Sequence, residues 1–486
     1  MLESKKLLHG TVVLTMGQVV AYGLSFLRNL ILARVLAKAD YGLAAVFGMA
    51  LTLLEVGGRM AFGIQVIQSR DGDTPAFQAS AHALQFIGGM CSAVLIAGLS
   101  APMARLFGVP RTWWAFALLA VVPLCQGLGH LDVSRRQREL DYLPLVLTDI
   151  VPQFLITMAA WPLALWLHDF RVIVWLMIAK AVVSTAMTFV FARRPYRWAW
   201  ERAPLRCMLL FGWPLLLNGL VMFGCQQADQ ILVGAAFSLN VLASYALAFS
   251  LVSIPWFIFG QVGSALMLPI LSRAQDDPER LRRQYRVCVQ AAAAAGVMFT
   301  VPPIMVGEQL VKLLYGGKYQ GTGVFVALLG AAFAVRFLRF VPAVVAMAKA
   351  DTMNQLYSNL WRGASLPLAL GVVAVGGTPV QIAACALVAE MLAAVVSAVL
   401  LWRRQGVPLQ ESYGAVIYLV TFVSVGLAVA LLGGADLSLA WAAAVGIGAF
   451  VIALGSAYFM SPEAGRFLID AIRQRSVVIV GQPSLR

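Results

Sequence analysis

The chain has 486 residues, of which 61% are hydrophobic and only 12% are charged, with a mean hydropathy of +0.83 and a formal net charge of +14. Soluble domains average about 45–50% apolar and about 25% charged residues, so this composition excludes an ordinary water-soluble fold. The basic residues lie between apolar runs and not on one solvated face, so the positive charge indicates membrane orientation and no nucleic-acid partner.

Fourteen apolar runs are long enough to cross a bilayer as helices, which takes about 20 apolar residues each. Lys5 and Lys6 precede the first run, and no small-residue cleavage site follows at signal-peptide spacing, so this run is interpreted as a retained first span. The sequence therefore predicts an all-α polytopic membrane protein with about 14 transmembrane helices. The predicted spans are residues 11–36, 43–67, 81–100, 113–132, 143–167, 171–191, 208–234, 242–268, 286–306, 322–347, 357–375, 380–401, 414–433 and 438–460.

Lys and Arg residues are distributed unevenly between the two sets of loops. With the N-terminus inside, 23 of the 36 lie in inner segments, seven in outer loops and six within spans. Because short loops rich in Lys and Arg stay in the cytoplasm, these charges predict cytoplasmic N- and C-termini and an even number of spans.

The loops carry no recognisable catalytic pattern. The longest are residues 307–321 outside and residues 192–207 and 272–285 inside, and paired carboxylates at acid–base spacing are absent from the outer loops. No GxxxxGK[ST] or HExxH motif occurs, and the six cysteines form no CxxC pair. We therefore expect a protein that is not an enzyme and that has no cofactor and no metal site.

A weak internal repeat relates the first and seventh spans. Each has a polar pair near its outer half, then a short loop, then a Tyr-small-Leu-Ala segment that opens the next span at Tyr41 or Tyr245. The Arg- and Trp-rich segment Arg193–Arg206 lies between spans six and seven and suits a linker between two halves. Transporters are commonly built from two such related bundles.

Seven segments, taken in their order along the chain, carry a family resemblance. They are Leu32-Ala-Arg-Val-Leu-Ala-Lys-Ala-Asp-Tyr-Gly-Leu43, Ala228-Asp-Gln-Ile-Leu-Val-Gly234, Tyr245-Ala-Leu-Ala248, Ile254-Pro255, Leu268-Pro-Ile-Leu-Ser-Arg273, Asp276-Asp-Pro-Glu-Arg-Leu-Arg-Arg-Gln-Tyr285 and Tyr315-Gly-Gly-Lys-Tyr319. These segments resemble bacterial flippases for polysaccharide and O-antigen repeat units, of the multidrug/oligosaccharidyl-lipid/polysaccharide exporter superfamily. The resemblance covers spans one to twelve.

This resemblance implies two six-helix lobes around a central cavity, followed by two extra C-terminal helices. It implies transport of undecaprenyl-diphosphate-linked oligosaccharides across a bacterial inner membrane by alternating access. The partners expected are this lipid-linked oligosaccharide, membrane lipids, and a polysaccharide polymerase with its export machinery. The predicted divisions are residues 1–192 as the N-lobe, 193–207 as a cytoplasmic linker, 208–402 as the C-lobe, 403–460 as spans 13 and 14, and 461–486 as a cytoplasmic tail.

Charged residues within the spans are the candidate site residues, because a charge in a membrane helix is costly and usually faces a bundle interior or a watery cavity. Cations outnumber acids, and arginine forks bind phosphate oxygens in pairs. We therefore predict that Arg28, Arg59, Arg336, Arg339 and Arg362 hold a diphosphate, and that Glu55, Asn218, Gln226, Asp229 and Glu390 are cavity polar groups or counter-ions.

Helical spacing refines some of these roles and leaves others open. Glu55 and Arg59 are four residues apart and suit either an internal pair or a ligand site. Arg336 and Arg339 share a face with no acid within a turn, which favours an external anion over snorkelling or a pair with an acid on another span.

Charged residues on spans five, six, seven and eleven could act as ion-pair partners, as orientation signals or in the substrate site. Lys180 on span six suits a bridge to Asp149 on span five, and Arg362 suits either orientation signalling or the substrate. Asp229 suits a counter-ion for an arginine more than a coupling-cation site.

Three alternatives remain open: a multidrug cation antiporter of the same superfamily, a membrane-embedded polysaccharide ligase or polymerase, and a non-transporting assembly subunit. The antiporter needs an acidic cavity, which the excess of intramembrane cations disfavours. The short loops disfavour the enzyme.

The orientation is testable with an alkaline phosphatase reporter, which is active only outside the cytoplasm. We expect a fusion after Arg197 to be inactive and a fusion after Lys318 to be active, because Arg-rich loops stay inside. Equal activity at both positions, or the reverse pattern, would contradict the predicted topology.

Overall fold

The structure is a computed structural model that describes residues 2–58, 62–432 and 438–460. Within these ranges the secondary structure is helical, which confirms the predicted all-α class. The α-helices are α1 (Leu2–Val35), α2 (Lys38–Gly58), α3 (Phe62–Gln68), α4 (Pro75–Leu106), α5 (Trp113–Leu118), α6 (Val121–Gly127), α7 (Asp132–Arg138), α8 (Leu143–Leu167), α9 (Arg171–Val190), α10 (Arg202–Ala236), α11 (Leu239–Ser272), α12 (Pro278–Tyr315), α13 (Gly323–Ala348), α14 (Met353–Arg362), α15 (Ser365–Ala374), α16 (Pro379–Gln405), α17 (Gln410–Leu432) and α18 (Leu439–Met460).

Ten helices of the described ranges are long and apolar enough to cross a membrane, and eleven if a bent pair counts as one span. That pair joins Pro110–Gly127 to Asp132–Arg138 with a bend of 45°. The predicted span 357–375 is likewise divided, into α14 and α15, with Gly363 at the break. A protein with many spans is thus confirmed, whereas the count of fourteen stays a prediction.

Large apolar side chains on the helix surfaces suit contact with lipid. Val375, Trp166 and Leu431 are 83%, 76% and 72% exposed, values that an aqueous surface rarely tolerates in such numbers. Hydrocarbon removes the penalty for exposing them, while the backbone polar groups stay bonded within each helix.

The chain divides into two compact units. Unit 1 is Met1–Leu247 with Leu314–Lys318, and unit 2 is Ala248–Leu313 with Tyr319–Arg486. The predicted lobe limits at residues 192 and 208 stay predictions. In unit 1, α1 packs on α8, which also packs on α9, and α4 packs on α6; in unit 2, α13 and α14 both pack on α16.

Two helix C-termini in unit 1 are capped by cationic side chains. The Lys318 ammonium donates to the backbone oxygens of Arg34, at 2.9 Å, and of Leu36, just beyond the end of α1. The Arg34 guanidinium donates to the carbonyl of Leu314, in the last turn of α12. Such contacts satisfy carbonyls that the helices leave unbonded and complement the helix dipoles. Burial lowers the pKa of Lys318.

Two buried histidines fasten the segment after α9 to unit 1. The backbone N–H of Leu131 donates to His82 Nε2 at 3.1 Å, so the Nδ1–H of the neutral ring donates to the carbonyl of Arg197. The N–H of Asp132 donates to His130 Nδ1 in the same way, and His130 Nε2 donates to the carbonyl of Arg194. The first part of the predicted linker, Arg193–Arg197, is therefore held against unit 1 by these hydrogen bonds. We call this segment the strap.

Asp132 is the buried anchor of this region, since its side chain is fully inaccessible. It accepts from Arg135 Nε and, at 2.7 Å, from the backbone N–H of Arg193. Arg135 also pairs with Glu139 at 2.7 Å.

We expect Asp132→Ala to lower the free energy of unfolding by about 3–5 kcal/mol, because it leaves the buried Arg135 without its inner partner. Thermal unfolding of the purified protein in detergent measures this. Asp169→Ala is the control: the side chains of Asp169 and its partner Arg171 are 30% and 48% exposed, so losing this pair should cost less than losing the buried Asp132. Equal melting temperatures for the two variants would refute the assigned role of Asp132.

Candidate functional site

Three arginines converge on one glutamate inside unit 2. Arg336 and Arg339 lie three residues apart on one face of α13, Arg362 is the last residue of α14, and Glu390 lies in the middle of α16. Since both α13 and α14 pack on α16, the carboxylate lies where the three helices meet.

Glu390 is 1% exposed and binds all three guanidinium groups. Its Oε2 accepts from Arg336 Nε at 3.1 Å and Nη2 at 2.8 Å, and its Oε1 accepts from Arg339 Nε at 2.7 Å. Arg362 Nε lies 3.2 Å from Oε2. We call Arg336, Arg339, Arg362 and Glu390 the arginine cluster.

Uncharged side chains also contact Arg339 and Arg336 and help to hold them in place. Arg339 Nη1 donates to Ser358 Oγ at 2.9 Å and Asn359 Oδ1 at 3.1 Å. The guanidinium of Arg336 lies 4.3 Å from the centroid of the Phe333 ring, within cation–π range.

A second set of bonds fixes α14 to α16 beside the cluster. Asn354 and Ser397 bond reciprocally, with Asn354 Nδ2 donating to the Ser397 carbonyl at 2.9 Å and Ser397 Oγ donating to Asn354 Oδ1 at 2.7 Å. Ser358 Oγ donates to the carbonyl of Ala393 at 3.0 Å. These three hydrogen bonds hold α14 against α16 beside the cluster.

The cluster carries two positive charges in excess, because three guanidinium groups face one carboxylate. The arginine side chains are 10–12% exposed and so are not sealed off. Arg336 Nη1 donates no hydrogen bond within the described residues. This arrangement is chemically suited to binding an anion of about two charges.

Arg28 is the predicted diphosphate-binding arginine that the structure describes in unit 1. It lies on α1 and makes two long hydrogen bonds to neutral groups, Gln153 Oε1 at 3.4 Å and Ser25 Oγ at 3.3 Å. No carboxylate of the described residues lies within ion-pair distance of it. The side chain is half-buried, so its remaining donors are suited to an anionic ligand.

Gln153, on α8, adds an orphaned donor beside Arg28. Its side chain is 2% exposed, and its Nε2 has no hydrogen-bond partner within the described residues. A buried donor without a partner costs about 1–3 kcal/mol, and a ligand acceptor at this position would remove that cost.

The other predicted residues are distributed along unit 1. Asn218 is exposed and Gln226 half-buried on α10, while Asp229 accepts from the buried Tyr245 hydroxyl at 2.6 Å and from the N–H of Gln230 at 3.0 Å. The side chain of Glu55 and the whole of Arg59 lie outside the described residues.

Two ion pairs that the sequence left possible are formed in the structure. Lys180 and Asp149 lie 3.8 Å apart, which confirms the predicted bridge. For Arg339, pairing with an acid on another span is the alternative that the geometry realises, through Glu390. Glu390 was itself predicted as a cavity polar group or counter-ion, but its pairing with Arg339 was not assigned, because the two residues are more than 50 positions apart along the chain. Substrate binding by the predicted residues stays a prediction.

Sequence reasoning missed the supporting residues Ser358, Asn354 and Ser397, and gave Gln153 and Tyr245 no role at the site. The internal repeat already included Tyr245. Gln153 lies four residues after Asp149, on the same polar face of span five. For metals, no group of three or more His, Cys, Asp or Glu side chains in the described part of the chain could hold an ion.

We expect Glu390→Gln to destabilise the protein by several kcal/mol, because it leaves three confined guanidinium groups without a counter-ion. The double variant Glu390→Gln with Arg336→Met should recover part of the loss by removing one of these charges. Thermal unfolding of both variants measures this.

Glu411→Gln is the control for that series, since its partner Arg286 is 55% exposed. A Glu390→Gln protein as stable as Glu411→Gln would contradict the proposed structural role of the carboxylate.

Comparison with solved structures shows what this fold resembles. The chain is similar to "Lipid II flippase MurJ, inward closed conformation", with a TM-score of 0.70 and 12% identity over 93% of this chain and 99% of that one. It is also similar to an inward-facing multidrug resistance MATE family transporter of the MOP superfamily, with a TM-score of 0.66 and 14% identity over 81% of this chain and 96% of that one.

A MOP superfamily transporter from Pyrococcus furiosus has a TM-score of 0.56 and 14% identity over 82% of this chain and 95% of that one. That transporter is described as having a binding pocket of reversed polarity that suggests a different function. These identities support a shared fold. Comparison with curated proteins finds no match.

A family model described as "Polysaccharide biosynthesis protein" matches residues 31–323, which is more than half of the chain. The match includes Tyr41, Asp229 and Tyr245, on which the repeat and the flippase resemblance rested. The chain therefore belongs to this polysaccharide biosynthesis protein family.

Proposed function

We propose that this protein is a flippase for undecaprenyl-diphosphate-linked oligosaccharide repeat units of an exopolysaccharide, capsule or O-antigen. It would work by alternating access in a bacterial inner membrane, with the two units taking the roles of the predicted lobes. Membership of the polysaccharide biosynthesis family and the fold shared with a flippase support this class of function.

The excess of guanidinium groups over carboxylates within the spans is the observation that carries the proposal. Arg28 in unit 1 has neutral partners, and the arginine cluster in unit 2 has two charges in excess. A charge inside a membrane helix costs about 2.5–3.5 kcal/mol on insertion scales. Such a cost is consistent with selection for a ligand that needs these charges.

A lipid diphosphate is chemically matched to these groups. Its oxygens only accept hydrogen bonds, and each arginine presents several donors in a planar fork. Arg28 would bind through the donors that its weak bonds to Gln153 and Ser25 leave available. Arg336 would bind through Nη1, while Glu390 keeps the cluster from repelling itself apart.

The alternative of a multidrug cation antiporter has a specific basis, since MATE transporters share the fold. A cationic drug needs acidic side chains at its site. The principal buried acid of unit 2, Glu390, is already enclosed by three arginines. The charge balance of the cluster therefore favours an anionic substrate.

We expect Arg28→Ala, and separately Arg336→Ala with Arg339→Ala, to abolish or strongly reduce surface polysaccharide when each replaces the natural gene. Each lost bond to a charged phosphate is worth about 1.5–3 kcal/mol, or roughly tenfold or more in affinity. Polysaccharide extracted from the cell surface is quantified at equal amounts of membrane-inserted protein.

The matched control is Arg282→Ala with Arg283→Ala, which removes two exposed arginines near the start of α12. This control should keep normal polysaccharide. If the Arg28 and Arg336/Arg339 variants also kept normal levels, the proposed diphosphate role would be wrong.

A further inference from the structure

Unit 1 contains a pocket whose lining residues include neither Arg28 nor any member of the arginine cluster. It has a volume of about 550 Å³ and lies among α3, α4, α6, α7, α8 and α9. This volume is within the range of small-molecule sites, about 300–1,000 Å³. Its lining includes Phe62 and Ile64 of α3, Gln85 of α4, Thr148 of α8, and Ser184 and Thr185 of α9.

The lining has many polar groups but no Lys, Arg, Asp or Glu side chain. Its one titratable residue, His130, has both ring nitrogens bonded to backbone groups of Asp132 and Arg194, which fixes the neutral form. A diphosphate would find no cation here, so the pocket is not suited to the charged part of the proposed substrate.

The hydroxyl groups of the pocket present mainly acceptors. Thr148 Oγ1 donates to the Leu145 carbonyl at 2.8 Å, and Ser184 Oγ donates to the Thr148 carbonyl at 3.0 Å. Thr185 Oγ1 donates to the Cys125 carbonyl at 2.8 Å. Because a hydroxyl has one hydrogen and two lone pairs, these oxygens can still accept from a ligand.

Gln85 extends this pattern. Its Nε2 donates to the carbonyls of Gly129 at 2.9 Å and Gln126 at 3.0 Å, which closes the break after α6. The donors of its amide are thereby engaged, and its Oε1 is the atom left to face a ligand as an acceptor. An uncharged ligand with several O–H or N–H donors suits such a lining.

We propose that this pocket binds an uncharged sugar of the lipid-linked oligosaccharide, as a glycan subsite distinct from the arginines that bind the diphosphate; the inference rests on the proposed function. Sugar hydroxyl and acetamido groups supply the donors that the lining needs, and Phe62, Ile64 and Leu145 supply apolar contact for the ring faces.

The position of the pocket suits substrate loading. Thr148 is near the start of α8, and Ser184 and Thr185 are near the end of α9, the ends that the loop charges predict to be cytoplasmic. His130 joins the pocket directly to the strap that begins at Arg193. A sugar assembled on the cytoplasmic side would therefore meet this site near the inner surface.

The test uses the full-length protein in lipid nanodiscs and two probes. One is undecaprenyl diphosphate carrying a single uncharged N-acetylhexosamine, and the other is undecaprenyl diphosphate without sugar. We expect Thr148→Val with Ser184→Ala to weaken binding of the sugar-bearing probe by about tenfold and to leave the sugar-free probe unchanged, since two neutral hydrogen bonds are lost. Thr185→Val is an independent second variant with the same expected direction.

The matched control is Thr300→Val with Ser253→Ala. These are buried hydroxyls of unit 2 that bond to carbonyls of their own helices and do not line the pocket, so this control should bind both probes normally. Melting temperatures of all variants identify any that fail to fold.

Three results would overturn the inference, and they are distinguishable. Unchanged binding of both probes by the well-folded pocket variants would show that the sugar does not use the pocket. Equal weakening of both probes would assign the pocket to the lipid chain or the diphosphate. Failure of the unmodified protein to bind either probe would refute the proposed function itself.

Discussion

The cost of placing charge inside a membrane is the constraint on which this structure depends. Glu390 is almost inaccessible and would be strongly destabilising alone, yet three arginines on two other helices surround it. The same contacts tie α13 and α14 to α16. One ionic group thus organises the packing of three helices and leaves an excess of positive charge beside them.

Unit 1 meets the same constraint differently. Arg28 has two neutral partners at long distances, and the buried amide of Gln153 beside it keeps an unbonded donor. The stable ionic anchor of this unit is Asp132, which binds Arg135 and the strap after α9. Unit 1 therefore separates the charges that hold the fold from the charge available for a ligand.

Much of the fold could be predicted from the sequence, because hydropathy reports directly on the length of a membrane helix. The divided helices were missed: residues 113–132 and 357–375 are apolar enough to be counted as single spans, and hydropathy carries no information on where a backbone breaks. The positive charge of the site was visible, since Arg336 and Arg339 share a face by spacing alone.

Their partner was not predictable in the same way. Glu390 lies 54 positions from Arg336, and Gln153 lies 125 positions from Arg28, so each pairing depends on how the helices pack. The pocket of unit 1 could not be predicted for the same reason: six helices contribute to it, and its acceptor character arises from hydrogen bonds that only the folded chain makes.

The most direct measurement is transport by the purified full-length protein in liposomes, with a fluorescent undecaprenyl-diphosphate-linked oligosaccharide whose exposure on each leaflet is followed over time. We expect the protein to accelerate movement between leaflets and Arg28→Gln to slow it at least about tenfold, because a charged hydrogen bond to phosphate is lost. Movement no faster than in protein-free liposomes, or an Arg28→Gln protein as fast as the original, would contradict this expectation.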